Sequence, residues 1–290
     1  MLLDFSNGIE KIPVLISQKD YKEIKQKSKF QYILNYVSSS KKIQLFNHLI
    51  QPQCWNQNNY DFGGKLIQME KISHNLIQEP IIECHENQQC DCRNKVVQKG
   101  LKTKLQIFKT KSKGFGVKTL EKCEKGEFIC EYCGEILTKK ECEKRLKIPK
   151  ESNYILTVLE FIGFSNSNQS ENLGEFDPKL IVDWEEKVSE KKFPFIMRTN
   201  IDSEYKGNVS RFFNHSCFPN LSIFFIRFDY QIPHVGFFAN RNIEPEEELC
   251  FDYGTFIHSL EKMGDCDSKV CFCGEECCRK FLPNFSNFFD

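Results

Sequence analysis

The sequence predicts a mainly β protein with few short helices, on three observations. Short runs of β-branched and aromatic residues recur between residues 101 and 256, parted by Gly, Pro and Asn turn signals. Only two helices are signalled, one by a helical period and one by its start and stop residues. Phe alone numbers 27 in 290 residues while 40 Lys+Arg balance 40 Asp+Glu, a composition that excludes wholesale disorder and supplies a sizeable core. The length fits one large domain or two modest ones. The zero formal charge argues against a bulk nucleic-acid binder, and nothing repeats at a solenoid period.

In chain order, Tyr21, Ile24, Phe30, Ile33 and Leu34 recur at a helical period and predict a helix within Asp20 to Tyr36. Strands are predicted at LQIF (Leu105–Phe108) and EFICEY (Glu127–Tyr132). A second helix runs from Lys139 to Lys147, starting after Thr138 and stopping before Pro149. Further strands follow at YILTVL (Tyr154–Leu159), LSIFFIRF (Leu221–Phe228) and HVGFFAN (His234–Asn240). Residues 165–192 are polar, acidic and aperiodic, and read as an insertion loop.

Fifteen cysteines ask for an explanation. A disulfide framework requires an oxidising compartment, yet the N-terminus has no basic leader and no small-residue cleavage site. No stretch approaches the roughly 18 consecutive apolar residues of a membrane span. The expectation is an intracellular protein without a membrane role, whose thiols bind metal or line a core. Cys271, Cys273 and Cys278 form C-x-C-x4-C around Gly274, three soft ligands for a tetrahedral zinc site, with the fourth to come from elsewhere. Cys277 is expected to point away. Cys84, Cys90 and Cys92 form C-x5-C-x-C, with Cys54 or His85 as a fourth ligand, or they are ordinary thiols. Cys130 and Cys133 imitate a metal pair but lie in a strand-like run, where residues three apart face opposite ways. Cys123, Cys142, Cys250 and Cys266 read as core or surface thiols.

The most specific stretch is RFFNHSCFPN (Arg211–Asn220), preceded by NIDSEYKGN (Asn200–Asn208) and followed by EEELCFDYG (Glu246–Gly254). Asn and His amid apolar strands offer polar groups that grip a ligand, and Phe251 and Tyr253 set two aromatics near a turn. Taken singly, Asn214 also fits a turn, His215 a satisfied core histidine, and the two aromatics plain core.

Together these segments resemble the SET-domain protein lysine methyltransferases. KGFGV (Lys113–Val117) is similar to the family's glycine–aromatic–glycine cofactor loop, EYCGEIL (Glu131–Leu137) to its E-Y-x-G-E strand, and YILTVLE to its Y-x-F strand. IDSEYKGN is similar to its D-A-x-x-x-G-N segment, and RFFNHSCFPN and EEELCFDYG to its two core motifs. All stand in family order across about 113–254. YDFGGKL, PIIEC and CRNKVVQKG resemble the end of a pre-SET region, and the tail CFCGEECCR a post-SET zinc site. That pairing resembles the suppressor-of-variegation branch, which methylates lysine 9 of histone H3.

The resemblance implies a SET fold of several small sheets with a threaded, pseudoknot-like C-terminal segment. The chain divides accordingly into an N-terminal region, helical in part (1–53), a reduced pre-SET (54–100), a SET domain (101–256) with an insertion at about 159–199, and a post-SET motif (266–282). It implies S-adenosylmethionine held by Gly114, Phe115, Gly116, Arg211, Phe212, Asn214 and His215, with Phe272 over the adenine. Tyr253 matches the catalytic tyrosine, Tyr154 a second channel tyrosine, and Phe251 the position that governs how many methyls are added. Cys217 resembles the cysteine that joins Cys271, Cys273 and Cys278 on zinc.

The sequence departs from the family at three points: four pre-SET cysteines (Cys54, Cys84, Cys90, Cys92) stand where the family has nine, Phe115 replaces a Trp, and the insertion is long. The function implied is di- or trimethylation of a histone H3 lysine, first of all lysine 9, in the nucleus on chromosomes, with the H3 tail or nucleosome as partner. Two other readings are a SET enzyme for another histone lysine or a non-histone protein, and an inactive SET/zinc chromatin-binding scaffold. The basic run Lys99–Lys125 is either a weak DNA contact or a solvated face.

Overall fold

The computed structural model describes residues 1–39, 65, 81–84, 94–148, 152–162, 181–183, 195–228, 232–254 and 269–283. They form three sheets of four or five strands and two short ladders, with two α-helices. None of those helices is long and apolar enough to cross a membrane.

One four-stranded sheet runs in the order Leu2–Asp4, Leu15–Ser17, Leu105–Lys109, Phe115–Thr119. In Leu105–Lys109 the buried Leu105 and Ile107 alternate with less buried Gln106 and Phe108, the period of two that turns one face to the core. A second sheet pairs Ile155–Ile162 with Phe195–Asp202 over eight residues, then Glu135–Leu137, then Val37–Ser38 at its edge.

A third sheet is ordered Ile81–Ile82, Leu221–Arg227, His234–Ala239, Phe128–Glu131. It separates two cores. Leu221, Ile223 and Phe225, with Val235, Phe237 and Ala239, face the larger one; Phe224, Ile226 and Phe238 face the smaller with Val96, Val97 and Phe128. His234–Ala239 is therefore buried throughout, as a central strand covered on both faces must be.

The helix Lys139–Leu146 forms as the sequence predicts. Thr138 caps it by accepting from the Glu141 N–H, and Arg145 ties it to the second sheet through Glu135 (3.0 Å) and Asp202 (2.7 Å). The first helix is shorter than predicted. It spans Gln18–Lys27, capped by Ser17 through Asp20, and ends at Ser28 in extended backbone. From Phe30 the burial alternates, with Phe30 and Tyr32 buried around exposed Gln31, so the chain continues as strands Gln31–Tyr32 and Val37–Ser38. The N-terminal region is thus strand as well as helix. Within the stretch read as an insertion loop, Ile181–Asp183 pairs in parallel with Ile196–Arg198. The apolar LIVDW run is a strand signal that the acidic surroundings hid. Strand pairing from Ile162↔Phe195 to Ile155↔Asp202 makes residues 159–162 and 195–199 part of one continuous ribbon.

Candidate active site

Two segments far apart in sequence lie side by side. Asn214–His215 pairs in parallel with Cys250–Phe251, and the Ser216 N–H donates to the Phe251 carbonyl at 3.1 Å. Asn220 locks the crossing: its amide donates to the Glu248 carbonyl (2.8 Å) and its side-chain oxygen accepts from the Cys250 N–H (2.9 Å). Tyr253 follows at once. Its N–H donates to His215 Nδ1 (3.1 Å) and its hydroxyl to the Phe213 carbonyl (2.9 Å).

Around Tyr253 the walls are aromatic. Phe251 lies 4.8 Å away between ring centroids, Phe237 is 4.9 Å from Phe251, and Phe213 is 5.1 Å from Phe237. Burial, then the neighbouring Tyr132 and Cys250, push the Tyr253 phenol well above its ordinary pKa, so it stays a neutral donor at physiological pH. His215 goes the other way. Burial lowers it to about 4; Asp252 opposes the shift, and Arg279 and Lys113 add to it. A neutral imidazole that accepts at Nδ1 carries its proton on Nε2, 3.3 Å from the Cys217 sulfur.

Tyr154 is placed differently from Tyr253: its ring lies against the Arg211 guanidinium at 4.2 Å, and its carbonyl accepts from the Tyr132 hydroxyl (2.6 Å) and the Ser203 N–H (3.2 Å). Tyr132 was not singled out by its sequence context. It packs edge-on to Phe237 at 6.2 Å and so joins the same aromatic wall. Its place beside the E-x-x-x-E carboxylates of EYCGEIL was the available signal.

The glycine loop docks on this pair. The Phe115 carbonyl accepts from the Asn214 amide (3.1 Å), and the same amide donates to Glu248 Oε1 (2.8 Å), whose other oxygen accepts from Lys113 (2.7 Å). Gly114 has φ +74°, a conformation that costs a side-chain-bearing residue strain. A Cβ at Gly116 would lie 2.7 Å from Glu248 Oε1 and 2.8 Å from Thr110 Cγ2, so only hydrogen allows this approach. Such a close glycine backbone beside the Asn214 amide is the kind of cradle that an adenosyl ligand fits. Phe212 is buried between Phe5 and Phe115, and Arg211 stands beside it.

Behind His215 the sulfurs of Cys217, Cys271, Cys273 and Cys278 all lie within 4.8 Å of one another, and Cys217 and Cys271 are 3.9 Å apart. Four thiolates at about 2.3 Å from one tetrahedral zinc stand about 3.8 Å from each other, so the donor set fits that ion. At Cys273, burial opposes ionisation, but N–H groups of Cys217 and Glu275 outweigh it and hold the thiol near 7. Cys277 is exposed, as expected of a residue turned away.

Arg279 ties this tail inward: its N–H donates to the Cys217 sulfur (3.3 Å) and its guanidinium to Asp252 (2.6 Å), next to Tyr253. Phe272 is 58% exposed on the same tail. Cys84 is fully buried with the Asn94 amide 4.0 Å from its sulfur; Cys54, Cys90, Cys92 and His85 lie outside the described residues. Cys130 and Cys133 are buried core thiols, and Cys133 donates to the Leu34 carbonyl (3.0 Å).

Residues 114–254 match the SET domain family. Histone-lysine N-methyltransferase SETMAR of Bos taurus is 32% identical over 99% of this chain and 91% of its own length. The methyltransferase domain of human SETMAR superposes with a TM-score of 0.68 at 30% identity, over 97% of both chains. Arabidopsis thaliana SUVH6, an H3 lysine-9 specific histone-lysine N-methyltransferase, is 35% identical over 77% of this chain and 27% of its own; its structure in complex with SAM superposes with a TM-score of 0.65 at 29% identity, over 97% of this chain and 56% of that one.

A mainly β scaffold that sets a tyrosine and an aromatic wall against a glycine loop matches a group-transfer enzyme. The chain belongs to the SET-domain histone-lysine N-methyltransferases.

Proposed function

We propose that this protein transfers methyl groups from S-adenosylmethionine to a lysine of the histone H3 tail, lysine 9 first of all, in the nucleus on chromatin. The single observation that carries the reading is the parallel pairing of Asn214–His215 with Cys250–Phe251, which sets the Tyr253 hydroxyl and the glycine loop on one assembly. The relatives support it: SUVH6 is lysine-9 specific by name and binds SAM in its structure.

S-adenosylmethionine, when bound, supplies an electrophilic sulfonium methyl. Gly114, Phe115 and Gly116 would hold it from one side, and Asn214, His215 and Arg211 from the other, with Phe272 closing over the adenine. An incoming lysine must be neutral to attack, although its free pKa is about 10.4. The rings of Tyr132, Phe213, Phe237 and Phe251 strip water from it and favour the uncharged amine. The Tyr253 hydroxyl, donating to the Phe213 carbonyl, keeps its lone pairs for an amine N–H and fixes the line of approach. Cys217, Cys271, Cys273 and Cys278 would hold one structural zinc.

Incubation of the protein with labelled cofactor and a panel of H3 peptides tests the substrate. Label on peptides that retain lysine 9, lost when that lysine alone is replaced, is the expected result. Label at another lysine would overturn the site assignment, and cofactor binding without transfer to any peptide would leave a scaffold.

Phe251 predicts the product. It stands, buried, at the position the family resemblance makes product-governing, and carries no hydroxyl to hold a water against a methylated amine. Mass spectrometry of the wild-type reaction should therefore show di- and trimethyl-lysine, and Phe251→Tyr should stop mainly at monomethyl-lysine. Unchanged product states would remove Phe251 from this role.

The basic run Lys99–Lys125 favours the solvated-face reading over DNA contact. Lys109 pairs with Glu23, Lys113 with Glu248, Lys118 with Glu246 and Lys122 with Glu244, so four of its nine lysines are paired within the protein.

A further inference from the structure

We infer that the N-terminal segment is part of the cofactor cradle, with Phe30 as a positioning residue that holds Arg211; this rests on the methyl-transfer reading above. Arg211 sits in a box of three rings, its guanidinium carbon 4.2 Å from the Tyr154 centroid, 4.7 Å from Phe212 and 4.8 Å from Phe30. Two rings belong to the SET motifs. Phe30 comes from the far end of the chain, and it is itself fixed by stacking on Phe5 (5.8 Å, 17°) and by edge contact with Phe212 (6.0 Å).

The backbone around Phe30 is held on the same element. The Gln31 N–H donates to the Tyr205 carbonyl and the Ile33 N–H to the Gly207 carbonyl, both at 2.8 Å. The Tyr32 hydroxyl accepts from the Val209 N–H (3.3 Å), at the start of the Val209–Phe212 turn that carries Arg211.

A guanidinium has five N–H donors, and among the described residues this one uses two, Nε to the Ser203 carbonyl (3.1 Å) and Nη2 to the Glu204 carbonyl (3.3 Å). Ring faces hold its plane without consuming donors, so the remaining N–H groups stay available to an anionic ligand group such as a carboxylate. A second contact from the same segment reaches the other wall: Glu23 takes Lys109 at 2.7 Å through both carboxylate oxygens, and the Lys109 ammonium lies 5.7 Å from the Phe115 ring. The first 38 residues therefore touch the cradle from both sides.

The test is calorimetric. In the full chain, Phe30→Leu keeps apolar volume and removes the ring; it should weaken S-adenosylmethionine binding about tenfold, the scale of one desolvated cation–π contact, while the peptide KM stays within twofold. Arg211→Lys should weaken binding at least as much, and the double variant no further than Arg211→Lys alone, because Phe30 acts on the cofactor only through the Arg211 guanidinium. Tyr36→Phe serves as the destabilised control: its hydroxyl bonds Pro233 and Val235 away from the cradle, so its melting temperature should fall with cofactor affinity unchanged. Additive losses for Phe30→Leu and Arg211→Lys, or equal losses in Phe30→Leu and Tyr36→Phe, would overturn the positioning role. A wild-type chain that binds no S-adenosylmethionine would instead overturn the methyl-transfer reading itself.

Discussion

Tyr253→Phe should lower kcat by roughly 10²–10³ with little change in cofactor affinity, the scale on which a single oriented dipole contributes to a transition state. Steady-state turnover and cofactor calorimetry on the same sample separate the two effects. Equal losses in both would place Tyr253 in binding and not in the chemical step. The geometry makes the hydroxyl hard to replace, because it is the donor that satisfies the Phe213 carbonyl, on a ring packed against Phe251 and His215. Its loss also leaves that carbonyl without its partner, at a cost to stability of about 1–3 kcal/mol.

The pH dependence follows from the same phenol. Since burial raises its pKa, Tyr253 remains protonated as the solution becomes alkaline. The rate should climb with pH as more of the substrate amine loses its proton. No descending limb from Tyr253 should appear below about pH 10, the ordinary phenol value.

Loss of the proposed zinc should be as severe. Chelation, or Cys273→Ser, is expected to abolish both one equivalent of zinc and methyl transfer, because structural zinc sites are worth roughly 10–16 kcal/mol of ordering at neutral pH. The link to the chemistry is short. Arg279 follows Cys278, bonds the Cys217 sulfur through its N–H and reaches Asp252 beside Tyr253. His215, which accepts the Tyr253 N–H, also touches Cys217. Zinc content by atomic spectroscopy and turnover by labelled-cofactor transfer should fall together. Unaltered turnover in zinc-stripped protein would show that the tail and the site are independent.

The parts of the site that were legible in the sequence are those whose chemistry is written locally. NHSC, FDY, the glycine loop and the closely spaced tail cysteines carry their spacing with them, and the strands from Leu105 to Ala239 show alternation or continuous apolar runs. What escaped depends on partners distant in the chain. Gln31–Tyr32 and Val37–Ser38 are two-residue strands whose parallel mates lie at Lys206–Gly207 and Glu135–Ile136, so no local pattern announces them. The helical period across Asp20–Tyr36 was real only to Lys27, where Ser28 turned the chain out of the helix. Tyr132 escaped for another reason: a tyrosine beside a buried strand looks like core until its hydroxyl is found on the Tyr154 carbonyl.

The two-rung ladder between residues 214–215 and 250–251 has a kinetic consequence. The residues flanking it touch Phe5 and Phe30, early in the sequence, and Arg279, late in it, and pairings of such long sequence separation form slowly. A nascent polypeptide still short of Arg279 can bury much of its interior yet has no finished site. Catalytic competence should therefore arrive in one late step, after synthesis has passed the tail.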